Sequence, residues 1–143
     1  MLVFGEIDCR FHILQQAEAQ QRRVEDEVSV CVERYSSMLQ YVHELGYRPA
    51  PWGVVATGHR DQHQLHPDYP HHGTVAERSA VSRQFNELLA EKLGDSIPVV
   101  SIFVELVHPD DSTRWEFCWD ECNLSQDAMP LALRAIDQMK AKG

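Results

Sequence analysis

The chain lacks the features typical of membrane-spanning, secreted and nucleic-acid-binding proteins. Its longest apolar run, residues 99–104, is interrupted by Ser101 and is far too short to span a bilayer. The first residues do not show the basic-then-apolar pattern of a signal peptide, so we expect a cytoplasmic protein without a membrane partner. Lys and Arg number 13 against 22 Asp and Glu and form no cluster, which argues against binding to nucleic acid.

Cysteine is present at four positions, and no two of them form a C-x-x-C pair. In a cytoplasmic chain we expect these thiols to be reduced and mostly packed in the interior. A disulfide or zinc role for Cys118 and Cys122 is the alternative, but no second pair has the spacing of a zinc finger. We therefore predict no cofactor for the chain.

The apolar pattern predicts three strands that alternate with helices. Buried strands are predicted at residues 1–4, 52–57 and 97–107. From Val24 to Leu45 apolar residues recur in steps of four and three, which predicts a helix that ends at Gly46. A coiled coil is the competing interpretation of this spacing.

A second helix is predicted from the capping-box pair Thr74 and Glu77 to Gly94, and a last helix after Asp127. The order β-α-β-α-β-α predicts a single α/β domain over residues 1–143, a three-layer sandwich with a small parallel sheet. Three strands leave an edge of the sheet open, so we expect a homo-oligomer. The first strand and the apolar stripe of the first long helix are the surfaces expected to be buried in it.

Two acidic segments carry most of the functional information. Gly5–Arg10 follows the first strand, and Asp120–Ser125 precedes the last helix. In this order they resemble the SGNH/GDSL hydrolase superfamily, esterases with a flavodoxin-like sheet, and especially the branch found with polysaccharide-biosynthesis proteins. Residues 73–89 resemble the helix before that branch's penultimate strand. The resemblance covers nearly all of this chain but only about the C-terminal half of the family domain, which implies a truncated sheet.

The resemblance implies a catalytic site with an incomplete triad. Gly5 and Asp8 match the family's Gly-x-Asn-Asp block, with Ile7 at the position of the oxyanion-hole Asn. Asp120 matches the acid that orients the catalytic histidine, and Asn123 is at the position of that histidine. An amide cannot take up and return a proton near neutral pH as imidazole does. The family's Gly-Asp-Ser nucleophile would lie upstream of this chain.

The remaining site residues surround the end of the first strand. Gly5, Glu6 and Arg10 are the predicted substrate-binding residues, and we expect Arg10 to form an ion pair with Asp8. A second Gly-Asp-Ser sequence at residues 94–96 follows a helix and precedes a strand, so it is predicted to be a turn and not a nucleophile.

Histidines are concentrated in the loop after the second strand, at His59, His63, His66, His71 and His72. His59 is nearest to the end of that strand, which makes it the candidate for a substitute base, followed by His108 after the third strand. A solvated surface loop and a metal site are the alternative interpretations of the loop.

Three functions follow from these observations. The first is an SGNH-hydrolase-like protein related to carbohydrate esterases and acyltransferases, with an acyl ester, such as that of a glycan, as its substrate. The second is a non-catalytic binding or assembly module that uses the crevice or the open sheet edge. The third is a metal-binding protein that uses the His-rich loop.

Overall fold

The computed structural model describes residues 2–56, 58, 71–120 and 123–142. It is mostly helical (65%). In chain order its main elements are β1 (Leu2–Val3), α1 (Ile13–Gln20), α2 (Val24–Glu44), β2 (Pro51–Trp52), α3 (Val75–Leu93) and α4 (Met129–Lys142). A π-helical segment, Asp8–His12, leads directly into α1. Single 3₁₀ turns lie at Gly94–Ser96, Phe103–Leu106, Trp115–Phe117 and Gln126–Ala128.

The predicted three-layer α/β sandwich is wrong. The described part of the chain contains one sheet of two parallel strands, β1 and β2, with Leu2 opposite Pro51 and Val3 opposite Trp52. The third predicted strand makes a single parallel bridge, Trp52 to Val100. Three segments are therefore parallel as expected, but their pairing extends over only one or two residues and does not form a sheet layer.

The sheet is short because the backbone beyond each strand finds other partners. Past β2, the N–H and C=O of Val54 bind the side-chain amide of Asn86 at 2.7 and 2.8 Å. Past Val100, the chain turns into a 3₁₀ helix in which the N–H of Glu105 donates to the carbonyl of Ile102 at 3.1 Å. Backbone groups satisfied in this way do not extend a strand ladder.

Two hydrophobic clusters lie among the described residues. The first joins α1, α2 and α3 to the strands and contains Cys9, Ile13, Leu14, Val28, Val32, Leu39, Val54, Val81, Phe85, Leu89, Leu93 and Ile97. The second lies between α4 and the 3₁₀ turns and contains Ala56, Ile102, Phe103, Leu106, Val107 and Ala128. None of the described helices has the length and apolar character that crossing a bilayer requires.

The long helix α2 is confirmed, but its buried face differs from the predicted stripe. The buried positions are Val28, Val32, Ser36 and Leu39. Other members of the stripe, such as Tyr35, are partly buried against the first cluster, and Leu45 is exposed. The face shifts because α1 and α3 both pack against α2. The stripe is therefore only partly available to a second chain.

Local signals placed the ends of α3 correctly. The Thr74 hydroxyl accepts from the N–H of Glu77 at 3.2 Å, and the Glu77 carboxylate accepts from the N–H of Thr74 at 2.7 Å. Gly94 then ends the helix with a φ of +55°, a conformation that glycine adopts without strain. The last helix begins at Met129, after Asp127 as predicted, and it is preceded by a 3₁₀ turn that the Ser125 side chain caps by accepting from the N–H of Asp127.

Candidate functional site

The segment after β1 turns sharply at Gly5 into the π-helical segment. Gly5 has a φ of +88°, and a Cβ at this position would lie 3.0 Å from both Phe85 Cζ and Val54 Cγ2. The Gly5 carbonyl accepts from the N–H of Cys9 at 2.9 Å. Glycine is required at this turn by conformation and by packing. This is a structural requirement, and a substrate-binding role for Gly5 stays a prediction.

Arg10 forms an ion pair with Glu6 and not with Asp8 as the sequence predicted. The two residues are one helical turn apart, and Nε of Arg10 lies 2.6 Å from Oε1 of Glu6. Four residues of helix bring side chains to the same face, whereas two residues do not. Burial raises the pKa of the Glu6 carboxyl, and the neighbouring Arg10 charge opposes that rise.

Asp8 is hydrogen-bonded to α2 and to its own helix. The Tyr35 hydroxyl donates to one carboxylate oxygen at 2.8 Å, and Nδ1 of His12 lies 3.2 Å from the other. Burial, together with this bond to Asp8, raises the pKa of the Tyr35 hydroxyl. Burial and the Asp8 charge also raise the pKa of the Cys31 thiol to about 12. Tyr35 and Cys31 are therefore neutral near physiological pH, and neither has the lowered pKa of an activated nucleophile.

The fully buried Arg78 joins the two ends of the predicted His-rich loop. Its guanidinium donates to the carbonyl of Gly73 at 2.7 Å and to that of Gly58 at 3.4 Å. His72 lies at one of these ends, where its ring Nε2 is 2.7 Å from a carboxylate oxygen of Glu18. The candidate base His59 lies outside the described residues, as do His63 and His66.

Asp120 and Asn123 are hydrogen-bonded to each other. The Asp120 carboxylate accepts from the backbone N–H of Asn123 at 2.7 Å and from its side-chain Nδ2 at 2.9 and 3.0 Å. An antiparallel bridge joins Cys118, before Asp120, to Leu124, after Asn123. The Asp120 carboxylate thus contacts residue 123, where the resemblance implies a histidine. In this chain residue 123 is an asparagine, and its side chain is an amide.

The two predicted halves of the site pack against different cores. Cys9, within Gly5–Arg10, belongs to the first cluster. Leu124, within Asp120–Ser125, packs against the second. The catalytic roles of Asp8, Asp120 and Asn123 stay predictions, and no step of a reaction follows from their geometry.

The second Gly-Asp-Ser sequence, at residues 94–96, has a structural role. The Ser96 hydroxyl donates to the carbonyl of Leu93 at 2.9 Å within the 3₁₀ turn that ends α3, which confirms the turn predicted there. Within the described ranges, no group of three or more His, Cys, Asp or Glu side chains is arranged to hold a metal ion.

An exposed apolar surface overlaps the two surfaces that the sequence predicts to be buried in a homo-oligomer; we term it the β1–α2 patch and define it as Val3, Phe4, Ile7, Tyr35 and Met38. The exposed fractions of Val3, Phe4 and Ile7 are 63%, 43% and 41%. The rings of Phe4 and Tyr35 lie 5.9 Å apart, so the chain after β1 and the helix α2 meet at this surface. Val3 and Phe4 belong to the predicted first strand and Tyr35 and Met38 to the predicted stripe, so only Ile7 lies outside the surfaces predicted from the sequence.

Comparison with known proteins adds no relative: no family model, curated protein or solved structure matches this chain.

Proposed function

We propose that this chain is a non-catalytic assembly module that forms a two-fold homodimer through the β1–α2 patch. The observation that carries the proposal is the exposure of three large apolar side chains, Val3, Phe4 and Ile7, beside a strand edge. Contiguous apolar surface of this kind marks interaction sites on proteins. A two-fold axis would bring the same patch of both copies together, which is the commonest way in which identical chains associate.

The strand edge supports this mode of association. Among the described residues β1 pairs with β2 alone, so the other side of β1 has no neighbouring strand. Unpaired strand edges readily accept a strand from another chain. Two copies of β1 related by a two-fold axis would pair antiparallel, with the Phe4 and Tyr35 rings of each copy covering the other.

The polar residues at the predicted catalytic site support a structural role. The Glu6 carboxylate is engaged by Arg10, that of Asp8 by Tyr35 and that of Asp120 by Asn123. The pairs Glu6–Arg10 and Asp120–Asn123 contain no imidazole, the side chain that most often serves as the base of ester hydrolysis near neutral pH, whereas Asp8 also contacts Nδ1 of the exposed His12 at 3.2 Å. The hydrolase alternative, with an acyl ester as its substrate, depends on groups outside these pairs.

A cytoplasmic location is part of the proposal. Cys9 and Cys31 are free thiols in the described part of the chain, and free thiols persist in reducing compartments.

Light scattering coupled to size-exclusion chromatography tests the assembly. At micromolar concentration we expect twice the chain mass of 16.4 kDa. Phe4→Glu and Met38→Glu place a charge in the patch and should each give a monomer. The matched control is Val104→Glu, because Val104 is 69% exposed and lies outside the patch. Circular dichroism confirms that each variant is folded. A wild-type monomer, or dissociation by Val104→Glu to the same extent, would contradict the proposal.

A further inference from the structure

A groove of about 740 Å³ lies at the amino end of β2 and of the segment that pairs with it at Val100. It is bounded by the chain between α2 and β2, by residues 94–101 and by the last turns of α4. Its volume is within the roughly 300–1,000 Å³ range of small-molecule sites. None of the five residues of the β1–α2 patch lines it.

The floor of the groove is apolar. It is formed by Ala50 and Val99, just before two of the paired segments, and by Ala135 and Met139 on α4. Ala135 and Met139 are one helical turn apart and share a face of α4. All four are only partly buried, so an apolar ligand would cover surface that water now contacts.

The rim of the groove has the opposite charge balance to the whole chain. Arg48, Lys140 and His43 line it, with Asp95 as the one carboxylate among its lining residues. The chain as a whole has 13 Lys and Arg against 22 Asp and Glu. A locally basic rim on an acidic protein favours an anion at this position.

We propose that this groove binds a small amphipathic monocarboxylate. Its apolar body would lie on Ala50, Val99 and Met139, and its carboxylate would lie between Arg48 and Lys140. Asp95 and the carboxyl-terminal ends of α2 and α4 all add negative charge nearby, so a dianion such as a phosphate monoester is disfavoured relative to a single carboxylate. This site is independent of the homodimer, because it uses a different surface.

Isothermal titration calorimetry with octanoate tests the site, with octan-1-ol as the uncharged ligand of the same chain length. We expect saturable binding of one octanoate per chain and at least about tenfold weaker binding of octan-1-ol. Arg48→Gln and Lys140→Gln should each weaken octanoate binding several-fold. Ala135→Trp should weaken it several-fold by occupying part of the apolar surface on which the ligand would lie. Arg134→Gln removes an exposed cation from α4 outside the groove lining and should leave the affinity unchanged.

Three results would overturn the proposal. The first is no saturable octanoate binding to the wild-type protein. The second is equal binding of octan-1-ol, which would show that charge has no role. The third is binding that survives both Arg48→Gln and Lys140→Gln, or that falls equally with Arg134→Gln. If circular dichroism shows that Ala135→Trp does not fold, the two charge variants decide the outcome.

Discussion

The carboxylate of Asp120 holds the side-chain amide of Asn123, whose Nδ2 lies 2.9 and 3.0 Å from the two carboxylate oxygens. A carboxylate in this position would orient an imidazole if residue 123 were a histidine. An amide at residue 123 accepts this orientation but does not take up and return a proton near neutral pH as an imidazole does. The role of Asp120 as the acid of a catalytic triad stays a prediction.

We expect the chain to hydrolyse p-nitrophenyl acetate no faster than buffer, because the predicted site has an amide, Asn123, at the position where the reaction needs a base. Asn123→His should add an imidazole without a serine nucleophile beside it, so it should raise the rate by no more than one added surface histidine does. The measurement is the release of p-nitrophenol at neutral pH. Hydrolysis by the wild type that Ser96→Ala removes would refute this prediction and identify Ser96 as a nucleophile.

Tyr35→Phe should destabilise the fold by about 1–2 kcal/mol, because it leaves the partly buried Asp8 carboxylate without the hydroxyl donor now at 2.8 Å. The measurement is the urea midpoint of the unfolding transition. Tyr41→Phe is the matched control, since Tyr41 is 61% exposed on the same helix, and should change the stability little. Equal effects of the two substitutions would show that the Asp8 bond contributes nothing measurable.

Asn86→Ala should be more damaging, by about 2–4 kcal/mol, because it leaves both backbone groups of Val54 buried and without their partner. Glu87→Ala, an exposed neighbour on α3, should stay within about 0.5 kcal/mol of the wild type. Chemical unfolding of the three proteins measures the difference. A loss no larger than that of an ordinary surface substitution would show that the Asn86 amide does not stabilise the backbone of Val54.

The folded protein should lose stability in strongly alkaline solution, between about pH 9 and pH 12. The pKa of Cys31 is raised from 9.0 to about 12, so the folded state holds this proton more tightly than the unfolded state does. The resulting stabilisation is complete below pH 9 and is lost as the pH rises from about 9 to about 12. Cys31→Ala removes this titration, so urea midpoints measured across that range should fall less steeply for the variant. Equal slopes would show that Cys31 titrates alike in both states.

Several features could be determined from the sequence because they depend on neighbours along the chain. The Thr74–Glu77 capping box and the end of α3 at Gly94 involve contacts within a few residues. The period of four and three between Val24 and Leu45 identified α2 for the same reason. Glu6 and Arg10 also form a local pair, because one turn of helix places their side chains on the same face. The sequence predicted no helix at this position, and therefore it did not predict this pair.

Other features were decided only by the tertiary structure, because they join residues far apart in sequence. The Asn86 side chain hydrogen-bonds the backbone of Val54, which helps to limit β2 to two residues. The apolar run at residues 52–57 alone predicted a full strand there. The bond from Tyr35 to Asp8 spans 27 residues and exists because α2 packs beside the turn after β1. The number and spacing of apolar residues indicate how strongly a segment favours burial. The hydrogen-bond partners of its backbone, and the face of the segment that stays exposed, depend on which other elements pack against that segment.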